Sequence, residues 1–262
     1  VALREAIPLL RPERLADAGI EAALRDTAPE LGVVVAFGQF IPKRIRELPR
    51  RGYCINGHAS LLPRWRGAAP IARAILAGDE VTGVSVMRVE QEMDAGAVAL
   101  QRELAIGPSE SAGELAARMA ALTAELVTEA VDKIEAVEID WTDQDPAGVT
   151  EAPKLKRDDA RIDWNEPADA LVLRVRAMAP NPGAFSKFEG EALRILACTH
   201  ENGHADAAAG TVRNKPGLPF AIATGDGWLV PSVIQRAGGK AMKIDAFLRG
   251  RAVPDGVLLG DG

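Results

Sequence analysis

Asn56 and His58 stand two residues apart at the end of a short segment that starts at Tyr53, with Gly57 between them. On extended backbone, residues i and i+2 project to the same face. An amide and an imidazole so placed can meet one carbonyl oxygen, Asn as a hydrogen-bond donor and His as a donor that also moves a proton. Gly57 has no side chain and is expected to let the backbone come close to a ligand. Asp94 lies in a Met93-Asp94-Ala95-Gly96 turn. Asp is a common turn former in its own right, but set against His58 it would hold the imidazole in one tautomer. Together the three suit acyl transfer to an amine. The amine attacks a carbonyl carbon, and Asn56 and His58 stabilise the charge that grows on oxygen, at roughly 3–4 kcal/mol per well-placed donor. Asp94, directly or through a water, takes the proton that the amine loses. No Ser or Cys nucleophile is needed, because the amine is the nucleophile.

The next residues, Ala59-Ser60-Leu61-Leu62-Pro63-Arg64-Trp65-Arg66-Gly67-Ala68-Ala69-Pro70, are too long and too particular for a generic turn. Two prolines stiffen the loop, Gly67 lets it bend, and Arg64 and Arg66 flank an aromatic ring. Such a loop could line a flat heterocycle pocket and offer charge to an RNA end. Solvated surface arginines are the plainer reading.

Other candidates carry less. His200 and His204 have the i,i+4 spacing of helical metal ligands, but their segment is polar and bears Gly203, so a solvated loop and no metal are expected. Cys54 and Cys198 fit no metal spacing and read as reduced thiols of a cytoplasmic protein. There is no Gly-x-Gly-x-x-Gly or phosphate-loop motif, so no nucleotide cofactor is expected. Trp141, Trp164 and Trp228 read as packing anchors.

The elements that must position these residues follow from periodicity. Helices are expected over 12–30, 43–48, 68–76, 111–137, 167–178 and 242–248, and Glu114, three residues after Ser111, makes a capping box for the fourth. The run Leu31 to Phe37, apolar on both faces, suits a buried parallel strand. Further strands are expected over 53–56, 81–90 and 97–105. Alternation of strand and helix indicates an α/β, Rossmann-like domain with a mostly parallel sheet, whose ligands sit at carboxyl ends of strands, where Asn56 and His58 fall. Residues 140–158, punctuated by Pro and Gly, read as a linker. Beyond it, short strands over 193–197, 210–212, 220–223 and 227–233 indicate a small β-barrel. The expected organisation is therefore a catalytic domain over 1–139, the linker, and a C-terminal domain over 159–262.

Hydrophobic residues make up 47% of the 262, enough for a sizeable core, and no apolar run has membrane length. The net charge of −6 argues against a simple nucleic-acid coat, although residues 207–262 carry 7 basic against 4 acidic side chains. In that mildly basic end, Arg213, Lys215, Arg236, Lys240 and Lys243 could form a phosphate track.

Asn56 to Pro63, Arg64 to Pro70 and Met93 to Gly96 resemble the active-site signature of the methionyl-tRNA formyltransferase family. Formyltransferases acting on glycinamide ribonucleotide or nucleotide-linked sugars share the Asn-x-His and the Asp, but do not normally carry Arg-Trp-Arg-Gly-Ala-Ala-Pro. The likeness continues through Ala160 to Trp164, Ala223 to Gly227 and Gly238 to Met242. It implies Asn56, His58 and Asp94 as the catalytic set, and that the C-terminal β-barrel is OB-like. It implies 10-formyltetrahydrofolate as formyl donor, bordered by Ser60, Leu61, Leu62, Pro63, Phe37 and Gly38, with no metal. The acceptor it implies is initiator methionyl-tRNA, contacted by Arg64, Arg66 and the basic C-terminal part. The chain is expected to act as a monomer. Members of the family begin with a strand–helix–strand portion ahead of the region matching Val1, so an exposed sheet edge is expected, and they usually have a β-branched residue where Gly57 stands. Two rival readings are a formyltransferase acting on a sugar-nucleotide amine and an inactive RNA-binding remnant.

Overall fold

The computed structural model describes residues 4–15 and 17–260. In chain order the elements are α1 (Ala18–Asp26), β1 (Gly32–Val35), α2 (Lys43–Arg46), β2 (Cys54–His58), α3 (Pro70–Leu76), β3 (Val81–Arg88), β4 (Val98–Ala105) and α4 (Ala112–Glu135). They continue with α5 (Ala168–Met178), β5 (Ala184–Phe188), β6 (Glu191–Asn202), β7 (Val212–Arg213), β8 (Ala221–Ala223), β9 (Gly227–Arg236), β10 (Ala241–Lys243) and α6 (Ile244–Gly250). The chain divides into two units, one of residues 1–68, 83–103 and 120–152, the other of residues 69–82, 104–119 and 153–262.

The first unit is built on the sheet β1-β2-β3-β4. β1 and β2 pair in parallel, with Val34 opposite Asn56 and Val35 opposite Gly57, whereas β2 and β3 pair antiparallel, with His58 opposite Ser85. The sheet is α/β as expected but mixed: β1 and β2 pair in parallel, but the step from β2 to β3, expected to be parallel like most of the sheet, is antiparallel. The reason lies in the connections. A parallel neighbour needs a crossover, usually a helix laid along the sheet, and the seven-residue α3 between β2 and β3 packs on α5 instead. Ile55, Val84 and Val86 are buried on one face of the sheet, and Met87 is buried on the other, opposite Asn56. Val33 and Val35 on β1 are about half exposed, at 48% and 50%. α4 brings a buried stripe at helical spacing, which in this unit comprises Thr123, Leu126, Val127, Ala130 and Ile134. Arg88 lies between the rings of Tyr53 and Trp141, 4.4 and 4.5 Å from their centroids.

The second unit is a curled, half-open antiparallel sheet of the OB-like kind. Its order is β5-β6-β9-β8-β7, with β10 on the other end of β9. Irregular register between Ile195 and Cys198 bends β6, as bulges do. Leu171, Val175 and Met178 of α5 and Ile195, Leu229 and Ile234 of β6 and β9 are fully buried, each contributing about 1.5–3 kcal/mol through lost apolar exposure. Asp226 accepts from Ala168 N at 2.9 Å and so caps α5. Trp164 is buried and donates from Nε1 to Ser186 Oγ at 3.0 Å.

Several boundaries differ from the sequence expectation. α1 covers only 18–26 of the expected 12–30, and Ala16 lies outside the described residues. The strand expected over 193–197 is one twelve-residue strand, so His200 is not in a loop. It sits exposed on β6, paired with Leu229, because a ladder on β9 overrides the low strand propensity of the Glu201-Asn202 end. β5 was not expected; its alternating burial shows a strand too short and too polar to stand out. The helix expected from 242 begins at Ile244, since Ala241–Lys243 pair with β9.

Candidate active site

β2 carries the candidates Asn56 and His58. Alternation puts Asn56 and His58 on one face and Gly57 on the other. What approaches Gly57 is not a ligand surface but α4: a Cβ there would lie 2.6 Å from Thr123 Cγ2 and 3.0 Å from Val127 Cγ2. The missing side chain thus seats a helix behind the strand, and the chemical residues face away from it.

His58 is buried, and its ring is held from both sides. Nε2 is 2.9 Å from Trp65 O. A carbonyl only accepts, so Nε2 carries a hydrogen, and Nδ1 is the nitrogen that faces Asp94 Oδ2, at 3.6 Å. That separation is longer than a direct hydrogen bond, and a bond there needs a proton on one of the two atoms. Asp94 Oδ2 also accepts from Gly67 N at 2.9 Å. The turn and the loop that meet at His58 are therefore joined to each other.

Both partners of the imidazole sit on left-handed backbone, Trp65 at φ 62° and Asp94 at φ 51°. Such residues cost about 1–3 kcal/mol and persist only where surroundings hold them. Gly67, at φ 123°, serves the same turn: a Cβ there would meet Ala152 O at 2.7 Å.

The loop after β2 is fixed by its own polar groups. Ser60 is fully buried and donates from Oγ to Arg64 O at 2.6 Å, while its carbonyl accepts from Ser85 Oγ at 2.6 Å. Ser85 Oγ in turn accepts from Leu62 N, and Gln101 Nε2 donates to Leu62 O and Ser85 Oγ. Leu62 is buried, Leu61 and Pro63 are half-buried, and Phe37 and Gly38 are exposed just past β1.

Residues missed by sequence reasoning come from the stretch read as a linker. Gln144 donates from Nε2 to Asp94 O at 2.7 Å and Gly96 O at 2.8 Å, and accepts from Arg66 Nε at 3.0 Å. Thr150 Oγ1 accepts from Trp65 N at 2.9 Å, and Thr150 O accepts from Arg66 N at 2.9 Å. A Gln and a Thr in a Pro- and Gly-punctuated stretch give no periodic signal.

Burial pushes the Cys54 thiol, on the same strand, up to about 11, so it stays protonated near neutral pH and is no nucleophile. No group of three or more His, Cys, Asp or Glu that could hold a metal occurs among the described residues.

The cations expected to meet RNA are placed unevenly. Arg64 is exposed with its guanidinium 5.0 Å from the Trp65 ring. Arg66 is mostly buried and pairs with Glu92 at 3.3 Å. In the second unit Arg213 pairs with Glu201 and covers Trp228, Lys215 pairs with Asp255, and Arg236 pairs with Glu191. Lys240 and Lys243 are exposed. The structure thus brings Asn56, His58, Asp94 and Arg66 to one place in the first unit.

Residues 2–131 match the formyl transferase family, and residues 154–252 match the formyl transferase C-terminal domain. A methionyl-tRNA formyltransferase of Acidiphilium cryptum is 44% identical over 95% of this chain and 80% of its own length. The chain belongs to the formyltransferase family. Among solved structures, HypX from Aquifex aeolicus superposes with a TM-score of 0.68 at 21% identity, over 89% of this formyltransferase but only 42% of HypX. An N-formyltransferase from Helicobacter canadensis, solved with folinic acid and dTDP-3-aminofucose, has a TM-score of 0.65 at 15% identity, covering 88% and 80% of the two chains. At those identities the likeness is one of fold. The family brings formyl-group transfer.

Proposed function

We propose that this formyltransferase moves the formyl group of 10-formyltetrahydrofolate to a primary amine, with Asn56, His58 and Asp94 as the reacting-centre residues. The observation that carries the reading is the buried His58, pinned by Trp65 O at Nε2 and turned toward Asp94 at Nδ1. The acceptor amine attacks the formyl carbon, and its C=O electrons move onto oxygen. Asn56 donates to that oxyanion. Asp94 and His58 Nδ1 take the proton released by the attacking nitrogen and return it as the C–N bond to the folate N10 breaks. Ser60 to Pro63, Phe37 and Gly38 would border the folate. The folinic acid in the Helicobacter canadensis structure supports a folate donor.

For the acceptor, we take initiator methionyl-tRNA, supported by the named relative at 44% identity and by the Arg64-Trp65-Arg66 loop. The Helicobacter canadensis structure, with its dTDP-linked amino sugar, supports a second reading, a sugar-nucleotide amine.

The test offers 10-formyltetrahydrofolate with methionyl-tRNA or with a dTDP-amino sugar in separate reactions and measures formylated product and released tetrahydrofolate. Formylmethionyl-tRNA alone is the expected result. Formylated sugar alone would move the acceptor to the second reading. No released folate with either would remove the catalytic reading.

A further inference from the structure

From the contacts of residues 142–152 we infer that this segment is a positioning strap for the site, acting through Gln144 and Thr150. Its effect on turnover rests on the proposed reading of His58 and Asp94, while its effect on His58 does not. Asp94 and Trp65 hold the two sides of the His58 ring, and both have left-handed backbone. An L residue does not rest there unless neighbouring groups hold it. Gln144 supplies that restraint for the Asp94 turn, with two donors on the carbonyls of Asp94 and Gly96. Thr150 supplies it for Trp65, through Oγ1 on the backbone N–H at 2.9 Å.

The strap continues along the loop. Thr150 O and Ala152 N bond the backbone of Arg66, and Gly148 comes so near Pro63 that a Cβ would stand 2.9 Å from its ring. Gln144 also accepts from Arg66 Nε, which links the two attachment points. Thr150 bonds Trp65 and Gln144 bonds the Asp94 turn, so both act through the two residues that flank the imidazole. Loss of either lets one flank of His58 relax toward ordinary backbone, and the 3.6 Å approach of Nδ1 to Asp94 lengthens.

The experiment uses Gln144→Leu and Thr150→Val, which keep size but lose the polar contacts, and Thr150→Ser, which keeps the hydroxyl. The first readout needs no substrate: the ring nitrogen signals of ¹⁵N-histidine protein, which has three histidines, with His58 assigned through its Ala variant. The second is the kcat and KM of formyl transfer. Gln144→Leu and Thr150→Val are expected to shift the His58 ring signals and to lower kcat about 10-fold or more with folate binding within about twofold, since misplacement near 1 Å can cost 10²-fold. Thr150→Ser is expected to recover most of the loss. Unshifted His58 signals in folded Leu and Val variants would overturn the inference. So would unchanged kcat in those variants while Asp94→Asn is inactive. Unchanged kcat in Asp94→Asn itself would instead overturn the reading of the site.

Discussion

At the residue scale, one imidazole decides the site. The bond from His58 Nε2 to Trp65 O leaves Nδ1 facing the Asp94 carboxylate, and in the proposed reaction Nδ1 would be the nitrogen that takes a proton. His58→Ala is expected to lower turnover by at least about 10²-fold with little change in unfolding midpoint, measured on the acceptor that the wild type uses. The thiols behave differently. Cys54 is buried, with its Sγ 3.4 Å from Arg46 O, and its pKa stands near 11. Alkylation with iodoacetamide at pH 7.5 should leave Cys54 unlabelled in folded protein, as mass spectrometry would show. The roles of Asn56, His58 and Asp94 could be proposed from side-chain chemistry. The Trp65 carbonyl could not, because a backbone oxygen carries no signature in sequence.

At the element scale, β2 works because α4 lies behind it. Gly57 gives Thr123 and Val127 their room, so a side chain at 57 must displace them. Gly57→Val is expected to destabilise by about 1–3 kcal/mol in urea unfolding, the usual cost of overpacking. The sequence reading of that glycine, as room for a ligand, failed because the partner of a strand face is chosen by the fold. The start of α4 was legible. Ser111 N and Oγ donate to Glu114 Oε2 at 2.9 and 2.7 Å, closing the expected capping box. Those bonds hold the Glu114 carboxyl below its ordinary 4.5. A depressed carboxylate stabilises above its unfolded pKa, and the contribution fades as pH falls through the folded value. Ser111→Ala should therefore cost about 0.5–2 kcal/mol at pH 7 and less below pH 4; equal cost at both would remove Glu114 from the cap.

At the scale of the whole molecule, the two units interleave along the sequence but differ in kind, one built on a mixed sheet that carries Asn56 and His58, the other on a curled antiparallel sheet. No described helix is long and apolar enough to cross a membrane. The basic excess at the C-terminal end is partly neutralised in place, since Arg213, Lys215 and Arg236 each have a carboxylate partner. Seven phosphate contacts, one for each expected cation, would give a log–log salt slope of about −6. Filter binding of methionyl-tRNA from low to moderate salt is expected to give a clearly shallower slope. A slope near −6 would mean that those ion pairs open on binding.

Composition, motif spacing and periodicity were sufficient for the α/β class, the antiparallel C-terminal sheet and the cap of α4, and they singled out Asn56, His58 and Asp94 as candidates. These depend on local propensity or on side-chain chemistry that travels with the residue. Tertiary structure alone decided that the strand after Asn56-x-His58 runs antiparallel, that α4 fills the space at Gly57, and that residues 142–152 hold the backbone around His58. Each of those depends on which distant segment comes within a few ångströms, and distances between segments far apart in the chain are set by how all the buried faces are satisfied at once.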